Sequence, residues 1–184
     1  MRIYALADVH GRPDRIQLVE QTTEKLRPHV VVIAGDLTHG GRGREALRLL
    51  TTLPARVLAI PGNMDSPDVE EAIAHHPGRE VIVEGGVRFG SLQGEGCDVL
   101  VSHEPPHGVL DRAWTGQHIG SRTVRELVER LRPRLVVCGH VHECPGIARL
   151  GETVVVNCTM GNDRYAGALI EWDPQSPRVE LLPR

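Results

Sequence analysis

The sequence predicts an α/β fold built on one mixed sheet or on two sheets. Three observations carry this expectation. Short apolar runs rich in β-branched residues alternate with stretches of helical periodicity as far as Cys138. A pattern of helix end, proline, buried strand and glycine occurs twice, at Leu26–Asp36 and again at Leu131–His140. Beyond that point the chain holds β-formers and turns with no helix signal.

In order, Ile3–Ala7 reads as a strand. Asp14–Leu26 reads as a helix with Ile16, Leu18, Val19 and Leu26 on its apolar face. Val30–Ala34 is apolar throughout and follows Arg27-Pro28, as suits a strand covered on both faces. Arg44–Leu53 is a predicted helix carrying Ala46, Leu47, Leu49 and Leu50, and Val57–Ile60 a strand. Ser66-Pro67-Asp68 has proline and an acid where a helix begins, and that helix runs to about His75. Glu80–Val83 and Val87–Phe89 flank Gly85-Gly86 as a hairpin, and Ser91–Gly96 is a glycine-rich loop. Val99–Val101 and Leu135–Cys138 are strands around a helix at Ser121–Leu131. Ile147–Leu150, Thr153–Val156 and Ala168–Trp172 complete the set.

A chain of 184 residues with 40% hydrophobic content suits one domain spanning residues 1–184. Its apolar runs are far too short for a membrane span, and Asp8 interrupts the N-terminus too early for a signal peptide. The 4 cysteines form no Cys-x-x-Cys pair, so a reducing cytoplasm is the expected compartment. A net charge of −3 and 3% aromatics argue against holding a nucleic acid duplex. Nothing in the composition decides for or against a homo-oligomer.

The chemistry gathers where strands end. Asp8-Val9-His10-Gly11 follows the first strand, Gly35-Asp36 the second and Gly62-Asn63-Met64-Asp65 the third. Val99–Val101 leads into Ser102-His103, and Leu135–Cys138 into Gly139-His140-Val141-His142. In open α/β sheets, ligands bind outside the carboxyl ends of the strands. Gly35 can turn sharply and bring the backbone close to whatever Asp36 touches. One such residue is an ordinary turn, but repeated at successive strand ends they describe a site.

The residue types suit two metal ions. Asp36 can bridge both through its two oxygens. Asp8, His10 and one imidazole of the final pair can complete one ion, and Asn63, His103 and the other imidazole the second. Mixed nitrogen and oxygen ligation suits Mn, Fe, Zn, Ni or Co better than Mg or Ca. Two divalent ions opposed by only two carboxylates leave a cationic site, which should attract an anion. Two metals roughly 3.5–4 Å apart can deprotonate a bridging water and stabilise both oxygens of an in-line phosphoryl displacement.

Asp8-x-His10, Gly35-Asp36, Gly62-Asn63-x-Asp65, Ser102-His103 and Gly139-His140-x-His142, in this order, resemble the motifs of the calcineurin-like metallophosphoesterases. The resemblance spans residues 8 to 142. It implies an α-β-β-α sandwich of two packed mixed β-sheets flanked by helices, with a dinuclear site at the strand ends. It assigns Asp8, His10, Asp36 and His142 to one metal, and Asp36, Asn63, His103 and His140 to the other. It further implies hydrolysis of phosphodiesters or phosphomonoesters, often with Mn, on a small-molecule or nucleotide substrate. His103-Glu104-Pro105-Pro106 is similar to a His-x-Pro-Pro subgroup of that family.

One departure stands out. Many members carry histidine directly after the motif asparagine, where it contacts phosphate and serves as general acid. This chain has Met64, which donates no proton. His39 and His118 are the candidates to overhang the site in its place, His107 lies on the loop after His103, and Arg12 sits beside the first motif. Asp65 is expected to cap the next helix or brace its loop. His29, His75 and His76 fall at element ends and read as solvated. A structural zinc site at Cys138-x-His140-x-His142-x-Cys144 is rejected, because it lacks a Cys-x₂₋₄-Cys knuckle. The competing function is a non-catalytic metal-binding scaffold of the same fold.

Overall fold

The computed structural model describes residues 1–74, 82–92 and 96–184. The first half of the predicted alternation is present. Strand β1 (Arg2–Leu6) leads through α1 (Pro13–Leu26) to β2 (Val30–Ala34). A 3-10 turn at Arg44–Arg48 and the one-turn helix α2 (Leu49–Thr52) then lead to β3 (Arg56–Ile60). After α3 (Pro67–Ala74) come β4 (Ile82–Glu84), β5 (Val87–Gly90) and β6 (Val99–Val101). Helix α4 (Arg122–Leu131) precedes β7 (Leu135–Cys138). The chain closes with β8 (Gly146–Leu150), β9 (Thr153–Asn157), β10 (Tyr165–Glu171) and β11 (Arg178–Pro183).

Two mixed sheets result. One is five-stranded in the order β11-β10-β1-β2-β3, the other six-stranded in the order β4-β5-β6-β7-β9-β8. Strands β1, β2 and β3 run parallel, as do β5, β6, β7 and β9, so their carboxyl ends point one way within each sheet. Alternation along β1 shows how the sheets pack. Ile3 and Ala5 join a core between the sheets that includes Val32, Phe89, Val137 and Val156. Tyr4 and Leu6 face the other way, into a core with Ile16, Val19 and Leu49. Helix α4 covers the opposite sheet through Val124, Leu127 and Val128. The layers are therefore helix, sheet, sheet, helix. Among the described residues no helix is long and apolar enough to cross a membrane.

The repeated pattern has a structural cause. Arg27 and Arg132 both adopt left-handed backbone, and their N–H groups close the preceding helices onto Thr23 and Val128 carbonyls. Pro28 and Pro133 then bar any helical continuation. Gly85 and Gly86 both have positive φ, as the tight turn between β4 and β5 requires.

Two expectations change. Arg44–Leu53 is not a regular helix but the 3-10 turn followed by α2. It starts where expected, after left-handed Gly43, and Leu53, extended before Pro54, ends it one residue early. Strand β11 is absent from the sequence reading, because Arg178–Pro183 is a partly exposed edge strand of mixed polarity. It pairs antiparallel with β10. Glu80, His75 and His76 lie outside the described residues, as does part of the Ser91–Gly96 loop.

Candidate metal centre

The loops leaving β1 and β2 keep the parallel ladder going past the strands. Asp8 N–H donates to Gly35 O at 3.1 Å, His10 N–H to Asp36 O at 2.9 Å and Gly11 N–H to Leu37 O at 2.8 Å. Asp8, His10, Asp36 and His140 all adopt left-handed backbone, with φ of 63°, 55°, 53° and 68°. Such conformations cost roughly 1–3 kcal/mol each and persist only where the surroundings impose them. Here they turn side chains from both sheets into one space.

Glycines keep that space clear. A Cβ on Gly35 would overlap the His103 ring, one on Gly62 the Asp36 carboxylate, and one on Gly161 the His142 ring. The expected close approach of Gly35 is therefore to a neighbouring ligand candidate from the other sheet.

Two groups of donor atoms face each other. In the first, His142 Nε2 lies 3.4 Å from Asp8 Oδ1 and 3.3 Å from His10 Nε2. In the second, Asn63 Oδ1 lies 2.9 Å from both His103 Nε2 and His140 Nδ1, which are 3.3 Å from each other. Asp36 stands between them. Its Oδ2 is 3.4 Å from His103 Nε2 and 4.0 Å from His10 Nδ1, while its Oδ1 accepts the Met64 N–H at 2.7 Å. The Met64 N–H holds the carboxylate so that Oδ2 is turned toward both groups.

The donor set fits a cation. Among the described residues Asp8 Oδ1 and His10 Nδ1 are buried without a hydrogen-bond partner. An orphaned buried polar group typically costs about 1–3 kcal/mol, more when charged. Asp8 Oδ2 is occupied by the backbone N–H of His140 at 3.0 Å, so the carboxylate is aimed with one oxygen left over. His103 Nδ1 sits 2.8 Å from Ala34 O, where an N–H donates, which directs Nε2 into the site. Asp8, His10 and His142 could together hold one ion, as could Asp8, Asp36 and His103.

Crowded carboxylates and imidazoles shift one another's protonation here. Burial opposes protonation of His103, but the Asp36 hydrogen bond and the Asp8 charge prevail and push it up to about 9. Burial would raise the Asp8 carboxyl, yet the adjacent His142 ring and the charge of His103 hold it below the usual range. Burial keeps His10 and His140 below the ordinary imidazole value, and the adjacent Asp8 carboxylate raises His142.

The supporting candidates divide. The exposed His39 packs edge-on against the His10 ring with centroids 5.3 Å apart, so it borders the site. His118 instead meets Asp111 at 2.6 Å and the His107 ring at 5.6 Å, with no contact to a ligand candidate among the described residues. Asp65 braces loops rather than capping α3, taking N–H groups of Gly62, Leu37 and Thr38 at 3.0, 3.3 and 2.8 Å. Arg12 pairs with Asp14 and Asp163 at 3.0 Å and does not reach the site. His29 is exposed, with Nδ1 accepting the Arg2 N–H.

Two residues escaped the sequence reading. Buried Arg15 donates to Asp8 O at 2.7 Å and to Gly161 O at 3.1 Å, tying the first motif to the loop beneath His142. Buried Asp111 accepts from Gly108 N–H and Gly120 N–H at 2.8 and 3.1 Å and shapes the loop after His103. Arg15 reaches Gly161 from the far end of the chain and Asp111 binds backbone within its own loop, and neither belongs to a strand-end motif.

The calcineurin-like phosphoesterase family model matches residues 1–144. A UPF0046 protein of Caenorhabditis elegans is 33% identical over 95% of this chain and 76% of its own length. An uncharacterized protein of Methanocaldococcus jannaschii is 27% identical over 85% of this chain and 87% of its own. In fold, the chain is similar to an archaeal phosphodiesterase, with a TM-score of 0.65 at 14% identity, covering 99% of this chain and 100% of that one. The strand-end motifs, the two-sheet sandwich and these likenesses agree: the chain belongs to the calcineurin-like phosphoesterase family.

Proposed function

We propose that this protein is a dinuclear-metal phosphoesterase that hydrolyses phosphodiester or phosphomonoester bonds. The observation that carries the reading is Asp36 Oδ2, aimed between the Asp8–His10–His142 group and the Asn63–His103–His140 group. Asp8, His10, Asp36 and His142 would hold one ion, and Asp36, Asn63, His103 and His140 the other. Mn fits best, with Fe, Zn, Ni or Co as alternatives. The ions would supply positive charge to the phosphoryl oxygens and lower the pKa of water.

The protein's own groups do the rest. The Met64 N–H fixes the Asp36 carboxylate, and the Ala34 carbonyl fixes the His103 ring. Met64 gives the leaving oxygen no proton. His39 is the spare imidazole that touches a ligand candidate among the described residues, and we assign it the rim position. His118, held on Asp111, would act only through a substrate that extends across the loop.

Elemental analysis after Mn loading should find about two ions per chain, and Asp36→Asn should weaken both. The loaded protein should hydrolyse an activated aryl phosphate ester, with His103→Ala or His140→Ala abolishing turnover. Failure to hydrolyse anything on a broad panel of phosphate esters, with both ions bound, would establish the non-catalytic scaffold instead.

A further inference from the structure

A cavity of about 250 Å³ opens where β3, β5 and β6 end, and His103 forms part of its wall. It therefore shares a side chain with the metal centre, whose Asn63 and His140 contact His103 on its Nε2 edge. Ile60, Pro61, Leu92 and Val101 make the cavity mainly apolar. Among the described residues no Arg or Lys lines it, and Glu104 is the one carboxylate. Leu92 is 47% exposed at this wall, a large apolar side chain left to solvent beside the site.

We propose that this cavity seats one ester substituent, ring-sized and uncharged, of a monoanionic phosphodiester. The proposal rests on the phosphoesterase reading and narrows it to a substrate class. An apolar wall next to a cationic centre divides a phosphate ester between the two: the anionic oxygens go to the ions and the carbon to the wall. Size sets what fits. An apolar cavity of about 150 Å³ takes one benzene ring, and drug-sized ligands need roughly 300–1,000 Å³. A volume of about 250 Å³ accepts one ring system, but not a whole nucleotide.

Charge separates diester from monoester. Glu104 places a carboxylate at the cavity wall, and its charge opposes the dianion of a monoester more than the monoanion of a diester.

The test uses the Mn-loaded full chain. p-Nitrophenyl phenyl phosphate and p-nitrophenyl methyl phosphate share a leaving group and differ in the group offered to the cavity. kcat/KM should favour the phenyl ester by about tenfold, the order expected for burying one ring. Leu92→Asp should bring that ratio toward one. Glu104→Gln should raise kcat/KM for p-nitrophenyl phosphate several-fold relative to the phenyl diester.

Binding gives a readout without turnover. Diphenylphosphinate, a monoanion with no ester bond to break, should bind about tenfold tighter than dimethylphosphinate by calorimetry, and Leu92→Asp should narrow the gap. Equal binding and equal kcat/KM for the phenyl and methyl members overturn the subsite while leaving the phosphoesterase reading in place. Preference for diphenylphosphinate without turnover of any ester upholds the subsite and removes the enzyme.

Discussion

The carboxylate of Asp8 accepts the backbone N–H of His140 across the gap between the two sheets, at 3.0 Å. Asp8 leaves β1 in one sheet and His140 leaves β7 in the other. One oxygen of a single side chain thus fixes the spacing of the two sheets at the site, and its other oxygen is left without a hydrogen-bond partner. Asp8→Asn should separate these roles, because the amide oxygen can still accept the His140 N–H. The expected result is a folded protein that retains about one Mn per chain instead of two, read by elemental analysis beside circular dichroism. Two ions retained at wild-type affinity would remove Asp8 from the ligand set.

Gly35 and Gly116 make a controlled pair. Both have positive φ, 93° and 82°. A Cβ meets the His103 ring at Gly35 but nothing at Gly116. Gly116→Ala should cost on the order of 1 kcal/mol, from backbone conformation alone. Gly35→Ala should cost more in urea denaturation and should also lower Mn affinity, because His103 must move. Equal costs with metal binding intact would show that the close approach is not needed.

Protons would compete with a bound metal for His103. In the metal-free protein its folded value is about 9 against an ordinary 6.5, raised by Asp36 and Asp8 over the opposing effect of burial. The protonated form therefore adds stability that is fully present below about pH 6.5 and is lost as pH rises through about 9. Metal binding requires the neutral ring and releases that proton. Mn affinity should climb from pH 6.5 to about 9, with proton release visible by calorimetry in buffers of different ionisation enthalpy. His103→Ala should flatten much of that climb, and a wild-type affinity independent of pH over this range would contradict the assignment.

Met64 serves Asp36 through its backbone N–H, so replacing its side chain leaves that hydrogen bond in place. Without a positioned acid, the chemical step in the wild type should slow steeply as the leaving group of an aryl phosphate becomes more basic. Met64→His should flatten the dependence and speed poor leaving groups by up to about 10²-fold, the lower end of what general acids contribute. A shallow wild-type dependence that steepens in His39→Ala would give the acid role to His39. One unchanged in both His39→Ala and His118→Ala would point to another donor.

The sequence by itself determined the ligand candidates and the parallel strands that deliver them. Both are local: a β-branched run is buried whatever surrounds it, and a Gly-Asp or Gly-His pair at its end must emerge at the sheet edge. The repeat of Arg27-Pro28 at Arg132-Pro133 was legible for the same reason, since each ends a helix and starts a strand within a few residues. The stretch 44–53 was misread because its apolar spacing suits a 3-10 turn as well as an α-helix, and its limits are set by Gly43 and Pro54. The tertiary structure set how the Asp36 carboxylate is turned, because the Met64 N–H that holds its Oδ1 comes from a different loop. It also turned His118 onto Asp111 and away from the ligands, set Arg15 under Asp8, and opened the apolar cavity beside His103. Those relationships join residues whose separation along the chain carries no period. They depend on how loops fold and pack beside one another, and the cavity on both sheets meeting at one edge.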